Sequence, residues 1–227
     1  SRGKADNRMY IKEEILFIIM NSFKGKLYIS DNPFNWPSGD MFAGLENYTE
    51  GIRKTGFFAA FGWFAFITVG SVLVIVLFTS MTAWYITRVK TRLSNTLYYL
   101  FVFSMVVPFQ MVMFTMSKLA DMLKLNNPVG MIFLYLGFGA GLSVFMFCGF
   151  VKSIPLEIEE AAMIDGCTPI QTFFQIVMPI LKPTAITVAI LNAMWVWNDY
   201  LLPYLVIGVS TPYKTIPVAV QYLMGSY

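Results

Sequence analysis

The chain has 227 residues, of which 57% are hydrophobic and 17% aromatic, while only 13% are charged, about half the share of an ordinary soluble domain. With a mean hydropathy of +0.63 and a net charge of only +3, this composition points to a lipid bilayer as the surroundings and away from a nucleic-acid surface. There is no histidine, so the commonest general base and metal ligand is missing. The two cysteines, Cys148 and Cys167, make a poor zinc site by themselves. No metal, cofactor or disulfide is expected.

Taken in chain order, Ser1 to Glu14 is polar and lacks the apolar core and cleavage site of a signal peptide. Ile15 to Met20 is apolar but six residues long, where a spanning helix needs about 20. The stretch from Lys26 to Gly51, rich in Pro, Gly, Asn and Asp, reads as turns and irregular structure. Four stretches are long and apolar enough to span: about Phe57 to Ile86, Leu97 to Met116, Val129 to Val151 and Leu181 to Ile207. All four are expected to be helices, because lipid offers the backbone no hydrogen-bond partners. The expected fold is therefore an all-α polytopic bundle forming a single transmembrane domain over residues 1–227. Arg88, Lys90 and Arg92 cluster after the first full span without an acid, which places that connection in the cytoplasm. Residues 152–180 then also lie inside, and residues 25–56, 117–128 and 208–227 outside. Pro108 and Gln110 predict a kink in the second span. Gly137 and Gly141 form a GxxxG pair, suited either to close helix approach or to a hinge.

The inner loop, KSIPLEIEEAAMIDGCTPIQTFFQIVMPILKP, is too ordered for a mere connector. Pro155 suits a first helical position, and Glu157 and Glu159 then sit near the positive end of the helix dipole. Gly166 suits a left-handed terminus. Thr168, Pro169 and Gln171 read as a capping box that starts a second short helix, which Pro179 closes. The spacing of Ile158, Ala161 and Ala162 gives the first helix a small apolar face fit for another protein's groove. Its acids argue against a helix lying on the membrane surface, where Lys and Arg are favoured.

This loop resembles the EAA loop of ABC importer permeases, with Glu160, Ala161, Ala162, Asp165, Gly166 and Pro179 at the family's spacing. AMWVWNDYLLP is similar to a segment of the carbohydrate-uptake branch, and so are SFK at Ser22 to Lys24, ENY at Glu46 to Tyr48 and AWYITR at Ala83 to Arg88. The resemblance, to the smaller permease type of the maltose importer, covers nearly all of residues 15 to 227. It implies a non-catalytic, multi-pass subunit of the bacterial inner membrane that conducts a sugar or oligosaccharide. Implied partners are a second permease, a cytoplasmic ATPase dimer and an extracytoplasmic solute-binding protein. Glu160, Ala161, Ala162, Asp165 and Gly166 take the role of ATPase coupling. The family's core has six spans, so the chain is expected to carry four full spans and a remnant of the first, with the last one missing.

Asp199 is the only acid inside the expected spans and shares a helical face with Asn192 and Trp195. That face suits a hydroxylated solute; it equally suits helix packing or contact with a second permease. Gly51 to Gly56 has the start of a P-loop, but Phe57 and Phe58 stand where Lys and Ser or Thr are required. Energy is thus expected from a partner. The competing classes are an ion-coupled secondary transporter, an ABC permease for a non-sugar solute, and a membrane enzyme, the last disfavoured by the missing histidines and paired intramembrane carboxylates.

Overall fold

A computed structural model describes residues 13–208 and 211–224. The chain divides into two compact units, residues 1–58 with 222–227, and residues 59–221.

In the first unit, helix α1 covers residues 13–22, followed by α2 (Lys26–Asp31) and α3 (Glu46–Thr55). Residues 32–45 are irregular as expected, apart from one tight turn at Gly39–Met41, whereas α2 and α3 form where irregular structure was expected. Helix α3 has an acid in its first turn, Arg53 and Lys54 in its last, and Glu50 paired with both bases, all favourable to a helix. It ends at Gly56, which takes φ +58°. The SFK and ENY triplets meet in one knot. Lys24 is fully buried and donates to Asn21 Oδ1 at 2.9 Å and to the carbonyls of Asn32 and Pro33 at 2.8 and 3.1 Å. Asn47 donates to the carbonyls of Ser22 and Lys24 at 2.9 and 2.7 Å.

The second unit is the membrane bundle. It holds nearly all of α4 (Phe57–Arg88), then α5 (Arg92–Val106), α6 (Phe109–Met122), α7 (Pro128–Val151), α8 (Leu156–Ile164), α9 (Pro169–Thr172), α10 (Met178–Asn198) and α11 (Leu201–Pro203), and the first part of α12 (Ile216–Met224). Side-chain caps start both α5 and α7: Thr91 accepts from the Ser94 N–H before α5, and Asn127 from the Gly130 N–H before α7, which then opens on Pro128. Helix α7 is the hub. Of its most apolar stretch 61% is buried, against 28% in α4 and 22% in the helix ending at Asn198. Met131, Tyr135, Val144, Phe147 and Val151 line its inner side, each fully buried.

Among the described residues three helices are continuous and apolar enough to cross a membrane, and a bent pair makes a fourth candidate. The first and third spans match the expected Phe57 to Ile86 and Val129 to Val151 closely. The second does not. Helices α5 and α6 meet at 108°, a break where a kink was expected. Pro108 lacks a donor, and its ring drives Val107 out of the helical region, to φ −74° and ψ 116°. The fourth is displaced toward the N-terminus, running from Pro169 to Asn198. Pro179 does not close a short helix. A π-helical turn at Phe173–Val177 relieves the clash that the proline ring would make with the carbonyl four residues before it. At the far end Asp199 is extended, with ψ 120°. Its carboxylate accepts from the N–H groups of Leu201 and Leu202 at 3.0 and 3.4 Å, capping α11 and so terminating α10.

Candidate functional site

The ordered loop between α7 and α9 stands at the end of the bundle where α4 finishes. Pro155 is the N-cap of α8 and Leu156 its first residue. Its C-terminus is a Schellman closure: Gly166 has φ +93°, its N–H bonds the Met163 carbonyl at 3.1 Å, and the Cys167 N–H bonds the Ala162 carbonyl at 3.0 Å. The capping box of Thr168 and Gln171 is present in both directions. Local sequence thus dictates both ends of the loop.

The facing of α8 differs from the expectation. Ala162 is only 8% exposed and turned into the protein, so it is not part of an outward face with Ile158 and Ala161. The outward face is formed by Glu157, Glu160, Ala161 and Ile164, at i, i+3, i+4 and i+7. Ile164 is 85% exposed, the most solvent-presented isoleucine of the loop. Asp165 and Gly166 are exposed beside it. Sequence reasoning missed Ile164 because α8 carries apolar residues all round, and the short helix admits two phasings.

Glu159 faces inward and is 1% exposed. Its Oε1 accepts from Arg88 Nη2 at 2.6 Å and Nε at 3.0 Å, and its Oε2 from the Trp84 indole at 2.8 Å. Arg88 Nη2 also donates to the Ile154 carbonyl at 2.9 Å. Trp84 in turn packs on Phe173, with ring centroids 5.5 Å apart. The last turn of α4 thereby holds both sides of the loop. The only advance signal was AWYITR, whose Trp and Arg lie four residues apart on one face of α4.

At the opposite end of α10, Asn192, Trp195 and Asp199 are all turned toward α7. Asn192 is buried and donates to Ser143 Oγ at 3.1 Å and to the Val188 carbonyl at 2.9 Å. Trp195 lies edge-on to Tyr135 and Phe138. Tyr135 donates its hydroxyl to the Asp199 carboxylate at 3.0 Å. These contacts tie α10 to α7. The glycines of α7 divide differently from the GxxxG reading. A Cβ at Gly141 would meet Phe101 O at 2.9 Å and one at Gly139 would meet Asn192 Oδ1 at 2.6 Å, whereas Gly137 has nothing within 4 Å.

The described residues thus form a bundle of helices long and apolar enough to cross a membrane several times, with a capped helical loop at one end. Residues 75–225 match the family described as the binding-protein-dependent transport system inner membrane component, and the chain belongs to that family. It is a non-catalytic, multi-pass permease component of the bacterial inner membrane, working with ATPase and solute-binding partners. It is 40% identical, over 92% of its length and 75% of the relative's, to the probable starch degradation products transport system permease protein AmyC of Thermoanaerobacterium thermosulfurigenes. It is 33% identical, over 94% of its length and 76% of the relative's, to the multiple sugar-binding transport system permease protein MsmG of Streptococcus mutans. A bacterial ABC transporter that imports the acidic polysaccharide alginate has the same fold, with a TM-score of 0.73 at 20% identity, covering 98% of this chain and 81% of that one.

Proposed function

We propose that this permease conducts a sugar or oligosaccharide, pairs with a second, similar permease, and engages a cytoplasmic ATPase dimer through the outward face of α8. The names of its sugar-transporting relatives support the solute class. The docking role rests on one observation: Ile164 stands almost fully exposed on a helix capped at its C-terminus, with only Ala161 and two acids on the same face. An apolar residue so presented favours a groove in a partner, because its burial releases ordered water. In this reading Glu160, Ala161, Ala162, Asp165 and Gly166 shape the coupling helix, with Ala162 acting from its buried side. Residues 25–56, 117–128 and 208–227 face outward, and the last of these reaches the solute-binding protein. Asn192, Trp195 and Asp199 border the translocation path at the α7–α10 seam.

The test is a purified complex, with ATP hydrolysis measured as the loaded solute-binding protein is added across a panel of starch-derived oligosaccharides. Stimulation by at least one of them is the expected result; stimulation only by non-carbohydrate solutes contradicts the sugar assignment. In the same assay Ile164→Glu is expected to weaken ATPase retention about 10-fold or more, the effect of placing a charge in a desolvated contact. Full retention contradicts the docking face.

A further inference from the structure

We infer that Arg88, Trp84 and Glu159 form the clamp through which displacement of α8 is delivered to α4. The inference rests on reading α8 as the docking helix.

The chain itself joins α8 to α7 and α9 through short connections, and neither leads directly to α4. The contact with α4 is made by side chains. Glu159 is fully buried, and its two carboxylate oxygens take three N–H donors, all from the last turn of α4. Arg88 adds a bond to the Ile154 carbonyl, just before α8 begins. Apolar contacts slide past one another at little cost. A buried carboxylate cannot, because separating it from its guanidinium leaves an unpaired charge out of water. Any push on α8 therefore moves the end of α4 with it. Helix α4 is 32 residues long and unbroken, roughly 48 Å at the rise of an α-helix. Toward its other end Phe64 lies against Trp197 of α10, with ring centroids 4.3 Å apart, two residues before Asp199 and the α7–α10 seam. The clamp thus gives force applied at one end of the bundle a rigid route to the other. Arg88 and Trp84 are positioning residues in this scheme, since neither is on the outward face of α8.

The experiment uses the full transporter complex in proteoliposomes and reads three quantities: ATPase retention, basal hydrolysis, and the ratio of hydrolysis with and without loaded solute-binding protein. Glu159→Gln keeps the shape and removes the charge. Trp84→Phe keeps the packing on Phe173 and removes only the indole N–H. Both are expected to retain the ATPase while the stimulation ratio falls, by about 10-fold for Glu159→Gln and less for Trp84→Phe. The double variant Arg88→Gln/Glu159→Gln is expected to be no worse than the worse single change, since the two residues act as one unit. A merely structural role would lower complex yield and leave the ratio of the surviving complexes unchanged. If Glu159→Gln proves too poorly folded to assemble, Trp84→Phe decides alone. Wild-type ratios in assembled Glu159→Gln and Trp84→Phe complexes overturn the clamp. Ile164→Glu is run in parallel: retention of the ATPase by that variant overturns the docking reading itself. Its loss beside wild-type ratios in the clamp variants overturns the clamp alone.

Discussion

Gly141→Val is expected to destabilise the bundle strongly, while Gly137→Val, four residues earlier on the same helix, is tolerated. A Cβ at Gly141 falls 2.5 Å from Ser104 Oγ, 2.9 Å from the Phe101 carbonyl oxygen and 3.0 Å from Met105 Cγ. A serine hydroxyl can rotate away, but a backbone oxygen moves only with its helix, so α5 has to retreat from α7. Overpacking a well-filled interior costs about 1–3 kcal/mol when side chains absorb it, and valine here adds two further methyl groups beyond the Cβ. Helix α5 depends on α7 for its packing, and it also carries the elbow at Pro108. Gly137 is exposed with nothing within 4 Å of an added Cβ. Thermal unfolding in detergent checks this directly. Gly141→Val should yield little folded protein or a midpoint lowered by several degrees, and Gly137→Val a midpoint close to the parent's.

Gly166→Val is expected to leave the spans inserted and to abolish coupled transport. The site has open space around it, so no clash is involved. The effect comes from the backbone, which takes φ +93°, where a residue with a Cβ is strained by roughly 1 kcal/mol or more and a β-branched one by more still. Relief of that strain breaks the paired bonds from Gly166 to Met163 and from Cys167 to Ala162, and the end of α8 that carries Ile164 unwinds. Asparagine, which tolerates positive φ better, should retain more activity than valine. Uptake and ATPase retention at matched membrane levels separate this outcome from poor expression. Normal solute-stimulated hydrolysis in the valine variant would remove the requirement for the left-handed cap.

What the sequence made legible was governed by local rules. The caps at Thr168 and Gly166 were readable because a side-chain oxygen or a missing Cβ acts within four residues of itself. The apolar runs of α4 and α7 were readable because lipid forces them to be helical. Three features went against local propensity or depended on tertiary contact and were not. The fold-back at Val107 and Pro108 has the same residues as a tolerable kink, and only the packing of α6 against the segment Tyr204–Gly208, where Ser117 donates to the Leu205 carbonyl at 2.9 Å, decides between them. The displacement of the fourth span came from Pro179, a helix breaker by propensity that a π turn accommodates. The inward choice of Glu159 among three acids in α8 was undetermined, since Glu157, Glu159 and Glu160 are chemically alike until Arg88 and Trp84 arrive from 71 and more residues away. The SFK and ENY triplets show the same limit, being recognisable separately and meaningful only once Asn47 bonds the backbone at Ser22 and Lys24.

If the outward face of α8 is the cytoplasmic docking surface of this permease, the ATPase must cover Ile164. The most direct measurement replaces Ile164 by cysteine in a background where Cys148 and Cys167 are changed to serine. Labelling by a membrane-impermeant maleimide is then compared in inside-out and right-side-out vesicles, with and without the ATPase. Rapid labelling from the inner side of vesicles stripped of ATPase, no labelling from the outer side, and strong protection once the ATPase is restored are the expected results. Labelling from the outer side, or equal labelling with and without the ATPase in a complex proven to be assembled, would contradict that docking role.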